Sequence, residues 1–215
     1  MRSGLISFNE NTINIEGFTK TILIIGYIFF ILQNFLFFIF VYSIPLDVLG
    51  ALFLSFSLIY IFIRRRLNIS LIAGITLLGW SICTLIWRFL IYQNLEMSDT
   101  DYYGQNVVVL FGVSAILFFV SLYLLFRTIT YSIQFQNFVE KKKKIYAYYV
   151  RIFILYLLLH LSFSIGITIG GLNSNFIIML QLGLFVKLFI IPIFGILVFG
   201  VLIYMLTIDK IKVNT

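Results

Sequence analysis

The sequence predicts an all-α fold: a polytopic transmembrane helical bundle of six spans with both termini on the cytoplasmic side. Three observations predict it. Of the 215 residues, 62% are hydrophobic and 11% are charged, against about 45–50% apolar and about 25% charged in soluble domains. The apolar stretches are continuous rather than alternating, which in lipid means helices, since barrel strands read apolar-out and polar-in. The net charge of +7 is concentrated in short segments beside those stretches, as on the cytoplasmic side of a membrane protein. In a soluble chain that excess would suggest nucleic acid; beside apolar runs it excludes nucleic acid and points to lipid headgroups.

Residues 1–19 are mixed in character and lack the basic-then-apolar order of a cleaved signal, so they are expected to form a cytoplasmic or interfacial tail. A single bundle then covers residues 20–208, and residues 209–215 form a second cytoplasmic tail. The first span is expected over residues 21–42, with Gln33 and Asn34 near its middle. Pro45 suits the first turn of a second helix, and Asp47 sits where the positive end of that helix favours a carboxylate. This second span ends at Arg64, Arg65 and Arg66, a cytoplasmic marker. Residues 70–92 form a third span, carrying Thr76, Trp80, Thr84 and Arg88 at steps of four, followed by an external loop with Glu96, Asp99 and Asp101.

A fourth span, residues 106–126, leads through Arg127 to Glu140 and Lys141–Lys144. The intervening segment has roughly helical apolar spacing and is expected along the cytoplasmic headgroups, with Lys141, Lys142, Lys143 and Lys144, like Arg64, Arg65 and Arg66, facing anionic lipid. The fifth span covers residues 145–171. The sixth lies within Phe176–Leu206, 31 positions that would reach roughly 46 Å as a straight helix, against a hydrocarbon core of roughly 30 Å. It has to tilt, project or kink, and Pro192 supplies a cause for a kink. Splitting this region at Lys187 gives an alternative of seven spans, which moves the basic C-terminus outside. The six-span order separates charge best: Arg64–Arg66, Arg127, Lys141–Lys144, Lys210 and Lys212 on one side, and every acidic loop residue but Glu140 on the other.

That topology assigns depths. Asp47 begins a helix at the external face, Arg88 lies one turn from the external end of its span, and His160 lies about 21 Å outward of Tyr146. Lys187 falls either near mid-membrane, at a cost of about 2.5–3.5 kcal/mol on insertion scales, or at the outer headgroups. Together they suggest a polar vestibule open to the outside, floored by Gln33 and Asn34, with Lys187 directed toward Asp47 or a bound anion. Each residue also has a plainer reading: Asp47 complementing a helix terminus, Arg88 reaching Glu96 or Asp99, His160 bonding a neighbour in the bundle. On the fifth span, Tyr149, Tyr156, His160, Ser164 and Thr168 share a face, and Gly166 and Gly170 form a small-xxx-small pair for close helix approach. A packing interface and a ligand-lining face both fit this stripe.

Catalytic patterns are largely missing. Gly112-Val113-Ser114 with His160 invites comparison with intramembrane serine proteases, but Ala115 stands where a second glycine is needed and just one span begins before the histidine. Six spans and Gly183 in place of a counter-ion carboxylate speak against a retinal protein. There is no zinc-protease pair, phosphate-cradling loop or metal-spaced carboxylate set, and no cofactor is indicated. One cysteine, Cys83, excludes an intrachain disulfide. The expected function is transport: an integral membrane protein, or the membrane subunit of a transporter, taking a small anionic or zwitterionic solute through Lys187, Arg88, His160, Asp47, Gln33, Asn34, Ser164 and Thr168. Alternatives are a non-catalytic subunit or scaffold of a larger membrane complex, and a membrane-embedded lipid-modifying enzyme or sensor. Association with copies of itself or with other chains fits any of these readings.

Overall fold

A computed structural model describes residues 13–15, 17–36, 45–96, 105–172 and 190–207, with side chains for all of these except 34–36, 87, 91–96, 105–108 and 167–172. The described residues are helical almost throughout: α1 (Phe18–Leu36), α2 (Leu46–Arg65), α3 (Asn68–Glu96), α4 (Gln105–Thr130), the short α5 (Ile133–Lys141), α6 (Lys143–Leu172) and α7 (Ile191–Thr207). Four helical stretches are long and apolar enough to cross a membrane, namely Leu46–Arg65, Asn68–Leu90, Val109–Thr130 and Lys143–Gly166. Two shorter apolar stretches, Phe18–Gln33 and Ile191–Thr207, accompany them. All six fall within the continuous apolar runs of the sequence. Residues 37–44 and 173–189, which include the rest of the first expected span and Lys187, lie outside the described residues.

Antiparallel neighbours build the bundle in chain order. Helix α2 packs on α1 where two glycines meet: a Cβ at Gly50 would stand 2.8 Å from the Gly26 carbonyl oxygen. The backbones approach so closely because neither residue has a side chain in the way. Gly74 does the same for α3 against the Ser55 carbonyl of α2. Of the pair Gly166 and Gly170 expected to allow close helix approach, Gly166 has no described atom within 4 Å of a Cβ built there, and the surroundings of Gly170 lie outside the described residues. Here α6 meets α4 through larger groups, with Phe126 stacked on Phe153 at 4.8 Å and Phe118 against His160 at 5.0 Å between ring centroids. Helix α7 closes the bundle by laying Phe199 on Tyr27 and Phe30 of α1 and on Tyr156 of α6. Pro192 falls in the first turn of α7, two residues after the π-type winding of Ile190, where the N–H that a proline lacks would have no partner within α7.

The core is aromatic and aliphatic, with Tyr27, Tyr149, Tyr156, Phe138 and Phe199 among its largest fully buried side chains. Large apolar groups also cover the outside, such as Phe56, Ile75, Ile82, Phe89, Ile116 and Ile193 at 54–60% exposure. On a soluble protein such a continuous apolar surface would be an aggregation hazard. Against lipid tails it is the expected exterior.

The turns explain how one end becomes basic. Arg66 ends α2 in the left-handed region at φ 53°, its N–H bonded to the Phe62 carbonyl at 2.7 Å, so α3 starts two residues later. Ser132 caps α5 by accepting from the Phe135 N–H at 3.1 Å, and α5 leads through Lys142 straight into α6. The residues 13–15 touch both turns. Ile13 exchanges backbone hydrogen bonds with Tyr131 and Ile133 at 2.9 Å, and the same segment borders Tyr60, Arg64 and Arg65. Arg64–Arg66, Arg127 and Lys141–Lys144 therefore gather at one end of the bundle.

Candidate functional site

At the other end lies a cavity of about 140 Å³. Every helix except α5 contributes to it. Helix α1 supplies Phe30 and Gln33, α2 Asp47, and α3 Trp80, Thr84 and Arg88. From α4 come Phe111, Ser114, Ala115 and Phe118, from α6 Tyr156, His160, Phe163 and Ser164, and from α7 Ile191 and Pro192. The step-of-four pattern on α3 explains its share, because Trp80, Thr84 and Arg88 recur on one helix face. The same rule places Tyr156, His160 and Ser164 in line on α6. Along α2, Asp47 is separated from Arg64 by roughly 25 Å, so the cavity lies almost a bilayer's thickness from the basic turns.

Charge in the cavity is paired. The Arg88 guanidinium donates through Nη2 to Asp47 Oδ2, joining α3 to the start of α2. Asp47 also accepts from the Val48 N–H through Oδ1 at 2.9 Å; it therefore complements its helix terminus and holds a cation at the same time. Its side chain is 14% exposed and that of Arg88 is 32%. The pair thus stands at the mouth of the cavity rather than in its depth. The sequence leaves Arg88 free to reach Glu96 or Asp99 and Lys187 to reach Asp47 or a bound anion; Lys187, Asp99 and the Glu96 side chain lie outside the described residues. Among the described residues the partner of Asp47 is Arg88, 41 positions away.

Gln33 has a role that its polarity alone did not indicate. Its Oε1 accepts from the Leu46 N–H at 3.1 Å, so the end of α1 caps the beginning of α2, where a helix has N–H groups with no partner of its own. Across the cavity, the hydroxyls of Thr84 and Ser114 form a long hydrogen bond between α3 and α4 at 3.4 Å, either one able to donate to the other. His160 is bracketed by aromatic rings, Phe118 at 5.0 Å and an edge-on Tyr156 at 4.7 Å.

Five of the eight residues expected to bind a ligand come together here: Gln33, Asp47, Arg88, His160 and Ser164. Asn34 and Thr168 belong to α1 and α6, but their side chains, like the whole of Lys187, lie outside the described residues. The aromatic wall of Phe30, Trp80, Phe118 and Phe163 was not anticipated. Its signal in the sequence was weak, because aromatics at helical spacing are ordinary core residues and 25 phenylalanines supply many such positions. Among the described residues no group of three or more His, Cys, Asp or Glu side chains could hold a metal ion. Ser114 and His160 share the cavity, yet the hydroxyl beside Ser114 is that of Thr84, not a base that would activate it. No protein-family model matches the chain, no curated protein does, and neither does a solved structure; function has to be read from the cavity itself.

Proposed function

We propose that this chain is a small transport protein, or the membrane subunit of a transporter, that takes a small zwitterionic or anionic solute into the cavity bounded by Asp47, Arg88 and His160. The proposed frame is six spans with both termini inside, which sets the basic turns at the cytoplasmic surface and opens the cavity outward. One observation carries the reading: a carboxylate and a guanidinium, far apart in sequence, meet at the mouth of an aromatic-walled cavity at the end opposite the positive charge. A carboxylate and a guanidinium side by side can exchange their mutual contact for the ammonium and carboxylate of a zwitterion, and the net charge of the wall stays the same. At about 140 Å³, well above the roughly 10–15 Å³ of open volume that holds one water, the cavity has room for a small solute. Ring faces such as Trp80 suit the ammonium end through cation–π attraction.

Full-length protein in detergent, heated with a panel of small amino acids, betaines and carboxylic acids, tests this. At least one zwitterion or anion should raise the unfolding temperature of the wild type and leave Arg88→Met unmoved. Uptake of that solute into proteoliposomes should vanish in the same variant. If no member of the panel binds and the protein purifies only with other chains, the scaffold reading replaces transport.

A further inference from the structure

A second cavity, of about 390 Å³, lies at the basic end between the 13–15 segment and the C-terminal turns of α2, lined by Thr19, Tyr60, Arg64 and Arg65. We propose that it is a binding site for a phosphate group, carried by an anionic lipid headgroup or by a small phosphorylated solute. It lies at the opposite end from the Asp47–Arg88 cavity, so it stands or falls separately from the transport reading.

The donors are preset. Arg64 is held by two contacts to Tyr60: its Nε–H donates to Oη at 3.0 Å, and its guanidinium carbon lies 5.4 Å from the ring centroid. Engaging Nε leaves the forked Nη groups, whose geometry matches two oxygens of a phosphate, and Tyr60, as acceptor in that bond, still has its own proton to donate. Arg65 adds a second guanidinium on the same wall. Among the described residues neither arginine forms an ion pair, and Glu140, a described acidic side chain at this end, is exposed on α5 and does not line the cavity. Among the described residues the lining is thus cationic, and both arginines are exposed enough for an anion to reach them.

The opposite wall is built rather than incidental. Gln134, 7% exposed, uses its side-chain amide as a clamp. Oε1 accepts from the Ile15 N–H at 3.2 Å, and Nε2 donates to the Ile15 carbonyl at 2.9 Å and to Asn14 Oδ1 at 2.8 Å. With the backbone bonds of Ile13, these ties hold an extended stretch in front of the arginines and bury Ile13 and Ile15 to 4% and 2% exposure. Without that stretch Arg64 and Arg65 would be surface charges that attract any anionic lipid diffusely; with it they line a recess with a floor. The recess is too large for a bare monatomic ion and has room for a phosphate and the group esterified to it.

Native mass spectrometry on the full chain in neutral detergent tests the proposal, with dioctanoyl phosphatidic acid as the lipid probe, glycerol 3-phosphate as the soluble one and dioctanoyl phosphatidylcholine as the neutral-headgroup control. The Arg64→Gln/Arg65→Gln double variant should weaken binding of the favoured probe at least tenfold. A double variant with equal charge loss outside the cavity, Lys143→Gln/Lys144→Gln, should change it less than twofold. Gln134→Ala, which removes no charge, should weaken it several-fold by releasing the wall. Binding of phosphatidic acid alone identifies a lipid headgroup site, and equal binding of glycerol 3-phosphate identifies a soluble ligand. The proposal is overturned if the two double variants weaken binding equally, or if neither phosphate probe binds better than phosphatidylcholine. All substituted arginines and lysines are exposed, so these variants remain folded and the comparison stands even where Gln134→Ala does not fold.

Discussion

Replacing either half of the Asp47–Arg88 pair should destabilise the bundle unequally, and the inequality follows from exposure. At about 4 Å and an effective dielectric near 20, two unit charges attract by about 4 kcal/mol, but desolvation and side-chain ordering remove much of this. Fully exposed pairs are worth about 0–1 kcal/mol and the loss of one partner from a buried pair costs about 3–5 kcal/mol. With side chains 32% and 14% exposed, this pair lies between those limits, and a coupling of about 1–2 kcal/mol is expected. Asp47→Asn keeps an oxygen for the Val48 N–H and for Arg88, which retains water, so its cost should be about 1 kcal/mol. Arg88→Met leaves the less exposed carboxylate with the Val48 N–H as its remaining described donor, at a cost of about 2–3 kcal/mol. At about 2–4 °C per kcal/mol for a chain of this size, Arg88→Met should lower the melting temperature on the order of 5–10 °C, and Asp47→Asn by less than half of that. Cys83, the one cysteine, is partly buried on α3, so a thiol-reactive fluorophore reports unfolding without any added label. In the double variant the cost should fall short of the sum by about 1–2 kcal/mol. Strict additivity, or a larger loss from Asp47→Asn than from Arg88→Met, would refute the reasoning.

Three further outcomes are expected. Gly50→Ala should destabilise by about 1–3 kcal/mol, because its Cβ would stand 2.8 Å from a backbone oxygen that cannot yield unless α1 and α2 separate; Gly166→Ala, measured by the same thermal unfolding, should be neutral or slightly stabilising. Gln33→Ala should cost about 1 kcal/mol through the lost cap on α2, and hydrogen exchange should show faster exchange at the Leu46 amide with little change in α4. Ser114 should not react with a fluorophosphonate probe that labels activated serines, since Thr84 is the hydroxyl beside it; labelling abolished by His160→Ala would instead revive a hydrolytic role.

The parts of the structure that depend on local pattern were legible in the sequence. Continuous apolar runs gave the long helices, and the step-of-four spacing put Trp80, Thr84 and Arg88 on one face and Tyr156, His160 and Ser164 on another. What was not legible depends on contacts between distant segments. Nothing near Asp47 indicates that the guanidinium at position 88 reaches it, because several partners are open to a carboxylate at a helix start. The Gln134 clamp was hidden for the same reason: a lone glutamine in a polar segment reads as solvated until the stretch around Ile15, 119 positions away, is laid against it. Glycines show the same limit. Gly166 and Gly170 have the spacing of a close approach, whereas Gly26 and Gly50 achieve one from separate helices, a pairing that spacing within one helix does not reveal.

The proposed outward opening of the cavity is tested most directly by thiol accessibility. In a Cys83→Ser background, Ala115→Cys places a small thiol on the cavity wall, and Ile116→Cys places one on the apolar exterior, where the native side chain is 60% exposed. A membrane-impermeant methanethiosulfonate applied to intact cells should modify position 115, should spare position 116 because a thiol facing lipid stays un-ionised, and should be slowed at 115 by any solute that raises the melting temperature. Modification of position 115 only in inside-out vesicles, or equal modification of both positions, would contradict an outward-facing cavity.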